Sequence, residues 1–266
     1  MSDPFTYAVI GKAMQVHREL GPGLDEVFYH ELLSRRLCEA GIANESRARG
    51  RLIHREHLAD TFEADLIFPG QLIGELKCLS GAFSAEHFVQ IYCYLKFWKT
   101  GTGMLFDFGK NSLISQRVNF SEPMVPPLDS ADLLRAAPDL GPDFPLGRTL
   151  CESINRIISA HGLGYRDTTY RGLLAADLAA EGIPHSVLPV TPVRFAGELL
   201  GEARCNCLTV GRQFAVSTLA LRETITATDR AVLQTYLRLL GLPHGLILNF
   251  GRTAFGHLWV GARDSR

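Results

Sequence analysis

An internal duplication constrains the fold of this chain more than any other feature. The segment "GPGLDEVFYHELLSRRLCEAGI" at 21–42 is repeated as "GLGYRDTTYRGLLAADLAAEGI" at 162–183, at a constant offset of 141 residues. Further on, "YLKFWKTGTGMLFDFG" at 94–109 is repeated as "YLRLLGLPHGLILNFG" at 236–251, at an offset of 142. This period is far longer than that of a solenoid repeat, so each copy is expected to fold as a domain of its own.

The two copies share one order of predicted elements, which indicates an α/β fold. In the first copy, apolar periodicity predicts helices at about 5–20, 24–40 and 84–99, and strands near 50–57, 61–68, 71–78, 103–108 and 112–118. Helices packed on a mixed β-sheet follow from this order. We predict a first domain at 1–119, a proline-rich linker at 120–147 with a short helical turn at 130–136, and a second domain at 148–266.

Composition predicts a cytoplasmic protein. The 266 residues are 46% apolar and 21% charged, and the formal net charge of −1 gives no overall basic field, although a local basic groove can exist on a neutral protein. The start of the chain lacks the pattern of a signal peptide, and no apolar run approaches the ~20 residues of a membrane span. The six cysteines are irregularly spaced and are interpreted as reduced and apolar in role.

One strand pair carries residues suited to metal chemistry. Glu75 and Lys77 alternate with apolar residues in "LIGELKCLS", and Asp65 lies on the preceding predicted strand. A turn at Pro69 and Gly70 would bring the two carboxylates onto neighbouring strands, where they repel each other unless a cation lies between them. Mg²⁺ prefers such oxygen ligands, and Lys77 would then act on a water or a phosphate. The alternative is an ion-pair cluster on the surface.

Two helices carry further polar side chains on shared faces. Glu26 begins the second predicted helix, and Tyr29 follows it at i+3. On the later helix, Gln90 and Tyr94 are four residues apart, and His87 precedes Gln90 by three. Ordinary helix packing would also account for Tyr94.

The start of the second helix resembles the motif of the bacterial GxxExxxY family. Gly23, Glu26 and Tyr29 are similar to that motif, but the tyrosine is one position early if Glu26 is the motif glutamate. Counting from Asp25 gives the family spacing but places an aspartate where glutamate is expected, so both alternatives stay open.

Members of that family resemble the PD-(D/E)xK nuclease superfamily, and the first copy is similar to it from about 5 to 118. Ala64 occupies the position of the motif proline. The positions that match the superfamily motif are Asp65, Glu75, Lys77, Gln90 and Tyr94. The resemblance implies two tandem restriction-endonuclease-like domains, each a mixed β-sheet flanked by helices.

The resemblance also implies hydrolysis of nucleic-acid phosphodiester bonds with Mg²⁺ or Mn²⁺, DNA being favoured over RNA. Asp65 and Glu75 would bind the metal, with the Leu76 carbonyl as a further candidate ligand, and Glu26 would orient a water or hold a second metal. Lys77 would assist the attacking water. Gln90 and Tyr94 would position the site or the nucleic-acid strand.

The second copy is predicted to be catalytically silent. Applying the offsets, Asp65, Glu75, Lys77 and Gln90 correspond to Asn206, Val216, Thr218 and Val232, while Asp167 replaces Glu26 and Tyr236 keeps the tyrosine. Valine cannot bind a hard cation. Three roles are open to the silent copy: it holds nucleic acid, it mimics the partner of a homodimer, or it covers an apolar face of the first copy. We favour an intramolecular pseudo-dimer, compatible with a monomeric chain. The alternative function is a module that binds nucleic acid or protein without catalysis; no GxSxG, P-loop or GxGxxG motif supports an unrelated hydrolase.

Overall fold

A computed structural model describes residues 3–124 and 126–262 of the chain. The described residues form two compact units. The first comprises residues 3–51 and 61–121, and the second comprises residues 52–60, 122–124 and 126–262. Among these described residues, no helix is both long enough and apolar enough to cross a membrane.

The first copy contains every element that its sequence predicts. The elements are α1 (Pro4–Leu20), α2 (Glu26–Glu39), β1 (Glu45–His54), β2 (His57–Phe68), β3 (Leu72–Lys77), α3 (Ala85–Phe97), β4 (Thr102–Asp107) and β5 (Ile114–Asn119). The five strands form one sheet in the order β1-β2-β3-β4-β5. Strands β3 and β4 are parallel, whereas β2–β3 and β4–β5 are antiparallel, so the sheet is mixed as predicted.

Strong local signals define the ends of α1. The Asp3 carboxylate accepts a hydrogen bond from the Phe5 backbone N–H at 3.1 Å, and Pro4 stands in the first turn, where its missing N–H costs nothing. Gly21 ends the helix with φ of 70°, a backbone conformation that glycine adopts without steric cost.

The two faces of the sheet pack against different helices. Leu66, Leu76 and Phe106 contribute to a buried cluster with residues of α1 and α2. On the other face, a Cβ added to Gly103 would lie 2.6 Å from the Ile91 side chain of α3, so this glycine allows α3 to approach closely. Side chains alternate between the faces, so Asp65, Glu75 and Lys77 lie on the α3 side.

The second copy repeats this architecture. After the first copy, α4 (Ser130–Arg135) forms at the helical turn expected in the segment predicted as a linker. The elements of the second copy are α5 (Phe144–His161), α6 (Asp167–Ala180), β6 (His185–Val187), β7 (Val190–Phe195), β8 (Glu198–Arg204), β9 (Leu208–Val210), β10 (Phe214–Ala220), α7 (Ala227–Leu240), β11 (His244–Phe250) and β12 (Phe255–Gly261). One sheet has the order β12-β11-β10-β9-β6, and β7 pairs with β8 in a separate two-stranded sheet. Helix α5 begins inside the segment predicted as a linker, because Pro145 suits a first helical turn.

The same local contact is present in both copies. The Tyr29 hydroxyl donates a hydrogen bond to the Gly21 carbonyl oxygen at 2.6 Å, and the Tyr170 hydroxyl donates to the Gly162 carbonyl oxygen at 2.8 Å. Each hydrogen bond connects the first turn of a helix to the loop before it. The two tyrosines are 141 residues apart, and so are the two glycines.

A β-bulge accounts for the residue that the second copy has gained. The turns of the two hairpins match at an offset of 141, since Arg55 and Ala196 both have φ near 50° (47° and 48°). In β8 the register shifts: Leu199 pairs with Arg194, Gly201 pairs with Val193, and the residue between them has no partner. A bulge of this kind adds one residue to a strand, so the offset becomes 142 beyond it.

Candidate active site

The structure brings Asp65, Glu75 and Lys77 together on β2 and β3. The Asp65 Oδ2 atom accepts a hydrogen bond from the Leu76 backbone N–H at 2.8 Å, which holds the aspartate against the neighbouring strand. Lys77 Nζ donates to Glu75 Oε1 at 2.6 Å. The β2–β3 turn includes Gly70, whose φ of 70° favours glycine. The predicted strand pair and turn therefore place these three side chains as the sequence indicated.

Glu75 is held in an environment that opposes its negative charge. Its side chain is buried, with only 2% of the residue exposed. Burial, and then the nearby Asp65 carboxylate, raise the pKa of Glu75 to about 8, against the opposing effect of Lys77. Among the described residues, the buried Oε2 atom of Glu75 meets no hydrogen-bond partner. A buried oxygen of this kind is costly unless a cation or a proton satisfies it.

Lys77 remains a cation in this site. Burial alone would lower its pKa, but Glu75, Glu26 and Asp65 together outweigh burial and raise the pKa above its usual value. The ammonium group is therefore a hydrogen-bond donor and a positive charge beside the carboxylates at neutral pH.

Glu26 joins the group from the first residue of α2. Burial raises the pKa of Glu26, the Asp65 carboxylate raises it further, and Lys77 opposes both effects. The site thus contains three carboxyl groups and one ammonium group within electrostatic reach of one another. When all are ionised, the group carries an excess of negative charge, which a divalent cation would neutralise.

The donor set fits a hard divalent cation of the magnesium type. Within the described part of the chain, no cluster of three His, Cys, Asp or Glu side chains is arranged to hold a metal. Mg²⁺ does not need such a cluster, because one or two carboxylates with waters and phosphate oxygens are its usual ligands in proteins. Glu75 Oε2, which no other described residue satisfies, supplies one such carboxylate oxygen beside Asp65.

The α3 side chains form the predicted pair. Gln90 Nε2 donates to the Tyr94 hydroxyl at 2.8 Å, and the Tyr94 ring packs edge-on against Phe62. His87, on the same predicted face, has a local role, since its Nδ1 accepts a hydrogen bond from the Ser84 backbone N–H at 3.0 Å and caps α3.

His30 is a further residue at the candidate site, and the sequence pattern did not predict it. Its Nε2 atom lies 2.9 Å from the Asp65 backbone carbonyl oxygen and 3.3 Å from Ser46 Oγ, and the residue is only 4% exposed. This contact fixes β2 at the point where it carries Asp65. His30 follows Glu26 by four residues, so both lie on one helix face, and that spacing is the signal that could have found it.

The strand registers correct the predicted equivalences in the second copy. Gly74 pairs with Leu66 and Met104, and the corresponding pairs in the second copy are those of Val216 with Leu208 and with Leu246. Strands β2, β3 and β4 therefore correspond to β9, β10 and β11 at an offset of 142 residues. The interpretation of Asn206, Val216 and Thr218 as the counterparts of Asp65, Glu75 and Lys77 was wrong by one residue, because the bulge precedes these strands.

The corrected counterparts are Cys207, Ser217 and Leu219, and none is a carboxylate. Arg171 occupies the position of His30 in α6, where it is 5% exposed. Its guanidinium donates a hydrogen bond to the Asn206 side chain and lies 3.7 Å from Asp167, the counterpart of Glu26. The second copy thus holds a built-in cation beside Asp167, at the position where the first copy has His30.

The comparison with protein-family models agrees with the presence of two copies. A family model described as the PD-(D/E)XK nuclease superfamily matches residues 3–119 and 145–258, one match in each copy. The crystal structure of SSO0001 is similar with 20% sequence identity and a TM-score of 0.30, and the match covers 49% of this chain and 65% of that one. A search of curated proteins finds no match to the chain.

Proposed function

Because this chain belongs to the PD-(D/E)XK nuclease superfamily, we propose that its N-terminal copy hydrolyses nucleic-acid phosphodiester bonds with Mg²⁺ or Mn²⁺. We further propose that the C-terminal copy is catalytically silent and serves as its pseudo-dimer partner. The observation that carries the proposal is the buried Glu75 carboxyl beside Asp65 and Lys77, whose Oε2 has no hydrogen-bond partner within residues 3–124 and 126–262.

Each residue has a role that follows from its contacts. Asp65 and Glu75 would hold the ion, with the Leu76 carbonyl as a further ligand, and the bound ion would polarise a phosphate oxygen and lower the pKa of a water. Lys77 remains protonated, so it can donate a hydrogen bond to the attacking water or to a phosphate oxygen. Glu26 has a raised pKa, which suits a group that accepts a proton from a water.

The remaining residues would act without contacting the ion. The Gln90–Tyr94 pair would position the nucleic-acid strand through the amide and hydroxyl groups that α3 presents. His30 would keep Asp65 in place through the Asp65 backbone carbonyl. These assignments extend the family's chemistry to the residues of this chain, and DNA is the favoured substrate.

Paired substitutions in the two copies test the proposal. Purified wild-type protein, Glu75→Gln and Lys77→Met are incubated with single- and double-stranded DNA and RNA in Mg²⁺ or Mn²⁺. We expect each substitution to reduce the cleavage rate by at least ~10²-fold, the usual effect of removing a charge-stabilising group from an active site. Ser217→Ala and Leu219→Met, at the matching positions of the second copy, are expected to leave the rate within about twofold of wild type.

Three outcomes contradict the proposal. Cleavage that survives equally in Glu75→Gln and Lys77→Met would assign the activity to another site or to a contaminant. Cleavage that persists in EDTA would remove the metal ion from the mechanism. Binding of nucleic acid without any cleavage would favour the alternative function of a non-catalytic binding module.

A further inference from the structure

Three aromatic side chains meet at the start of α3. The ring centroids of Phe83 and Phe88 lie 6.2 Å apart, those of Phe83 and His87 lie 6.0 Å apart, and both pairs are edge-on. All three residues are partly exposed, and they belong to the first unit. Because a capping box fixes the start of α3, Phe83, His87 and Phe88 form an aromatic cluster that is ordered and partly open to solvent.

The aromatic cluster lies on the side of the sheet that carries the carboxylates. His87 and Phe88 precede Ile91 by four and three residues, so they flank it on one face of α3. The Ile91 side chain packs over Gly103, so this face of the helix is turned towards the sheet. The carboxylates of the candidate site and Lys77 project from the same side of the sheet.

The aromatic cluster is also level with the candidate site along the strand direction. Strands β3 and β4 are parallel and α3 connects them, so α3 runs in the opposite direction to both strands. The helical residues of the cluster lie one turn, about 5 Å, before Ile91. In the same direction, Glu75 lies two residues, about 6.6 Å, beyond Ile73, which pairs with Gly103 beneath Ile91. The start of α3 therefore lies beside the strand position of Glu75.

The second copy shows that the scaffold does not require these rings. Helices α3 and α7 correspond at the offset of 142, and both begin with a capping box. The counterparts of the three aromatic residues are Ile225, Asp229 and Arg230. Ile225 packs against the core of the second copy, so an aliphatic residue is sufficient at this helix start. The aromatic cluster is therefore specific to the copy that carries the acidic site.

We propose that Phe83, His87 and Phe88 form a stacking platform for unpaired bases, so that the strand entering the Asp65–Glu75 site is single-stranded nucleic acid. This inference rests on the proposed function. Aromatic side chains stack on the faces of unpaired bases with little regard to sequence, whereas the bases of a duplex stack on one another. Phenylalanine carries no charge, so these contacts add affinity without adding salt dependence.

Binding measured without cleavage tests the stacking platform. Glu75→Gln protein is titrated into fluorescein-labelled single-stranded DNA, into the same strand with abasic sites, and into duplex DNA, at several KCl concentrations. Fluorescence anisotropy is the readout. Adding Phe83→Leu and Phe88→Leu is expected to weaken binding of the single strand about 5- to 100-fold. Affinity for the abasic strand and the slope of log K against log [KCl] should stay unchanged, because no phosphate contact is removed.

Three further variants separate stacking from packing. Phe83→Trp keeps an aromatic face and should retain the affinity for single-stranded DNA. His87→Gln removes a ring but keeps a residue type that suits the capping box, and it should weaken binding of the single strand. Phe255→Leu removes a partly exposed ring that stacks beside His257 in the second copy, and it should leave the affinity unchanged. Unfolding midpoints verify that each variant is folded, and His87→Gln carries the test if the double substitution prevents folding.

The outcomes separate the stacking platform from the proposed function. With wild-type cleavage intact, an unchanged affinity of the leucine variant for single-stranded DNA would overturn the platform alone. An equal loss of affinity for the intact and abasic strands, or tighter binding of duplex than of single-stranded DNA, would also overturn it. A failure of wild-type protein to cleave or to bind any nucleic acid would overturn the proposed function, and the platform with it.

Discussion

At the scale of single residues, Glu75 is the residue through which the candidate site lowers the stability of the fold. The carboxyl is buried beside Asp65, and its pKa of about 8 means that it takes up a proton in the folded, metal-free protein at neutral pH. In the unfolded chain its pKa returns to the ordinary value of 4.5. The site therefore destabilises the fold as pH rises, unless a cation binds.

We predict that Glu75→Gln stabilises the metal-free protein, and increasingly so at higher pH. A group with a raised folded-state pKa contributes its full stability below the unfolded pKa of 4.5 and loses it as pH rises towards 8. In this window, the free energy of unfolding of the wild type falls by up to about 1.4 kcal/mol for each pH unit. At pH 7, the free energy of unfolding of Glu75→Gln is therefore expected to exceed that of the wild type by roughly 1–3 kcal/mol. Urea unfolding in EDTA at pH 5, 6, 7 and 8 measures it.

The matching substitution in the second copy is the control for this prediction. Ser217→Ala should give a difference from wild type that does not change with pH, because it removes no titrating group. A constant gap between Glu75→Gln and wild type across the same pH range would show that Glu75 titrates normally.

The sequence predicted the acidic pair and the lysine because side-chain alternation and a Pro-Gly turn are local rules. The role of His30 could not be predicted in the same way. Its partner is the backbone carbonyl of Asp65, 35 residues away. Every residue type has such a carbonyl, so the sequence does not show which one a side chain will contact. Similarly, the raised pKa of Glu75 depends on burial, which the packing of the sheet determines.

At the scale of elements, the helices were predicted to within a few residues, while β1 was predicted about five residues late. The sequence of β1 alternates arginine with small residues, so it lacks the apolar pattern that marks a strand. The extra residue of the second copy was also misplaced. Its position depends on which face of each strand is packed. Only the pairing register of β7 and β8 reveals the bulge after Leu199.

We predict that Tyr29→Phe and Tyr170→Phe destabilise the protein to a similar extent. Each buried hydroxyl donates to a glycine carbonyl, and each ring stacks on a phenylalanine, Phe108 or Phe250. Phenylalanine keeps the stacking but leaves the carbonyl without its donor, at a cost of about 1–3 kcal/mol. Chemical unfolding of the two variants beside wild type measures the effect. A loss confined to one copy would show that the two tyrosines are not structural equivalents.

At the scale of the whole molecule, one scaffold is present twice and carries the acidic site once. The family assignment covers both copies, so the duplication and the α/β fold predicted from the repeats are confirmed. The assignment to the GxxExxxY family and a cytoplasmic location stay predictions. The sequence did not indicate that residues 52–60 group with the second unit, because that grouping depends on long-range contacts.

The second copy is an internal control for metal binding by the first. Its counterparts of Asp65, Glu75 and Lys77 are Cys207, Ser217 and Leu219, respectively. Arg171 adds a buried positive charge close to Asp167, which would repel a metal ion. Metal binding should therefore distinguish the two copies within a single molecule.

Anomalous diffraction from crystals grown with Mn²⁺ tests whether the first copy alone binds a metal ion. We expect an anomalous peak bounded by the Asp65 and Glu75 carboxylates, lost in Glu75→Gln crystals, and no peak beside Arg171 in the second copy. A fully ordered site with no peak at Asp65 and Glu75, or a peak of equal height in the second copy, would contradict it.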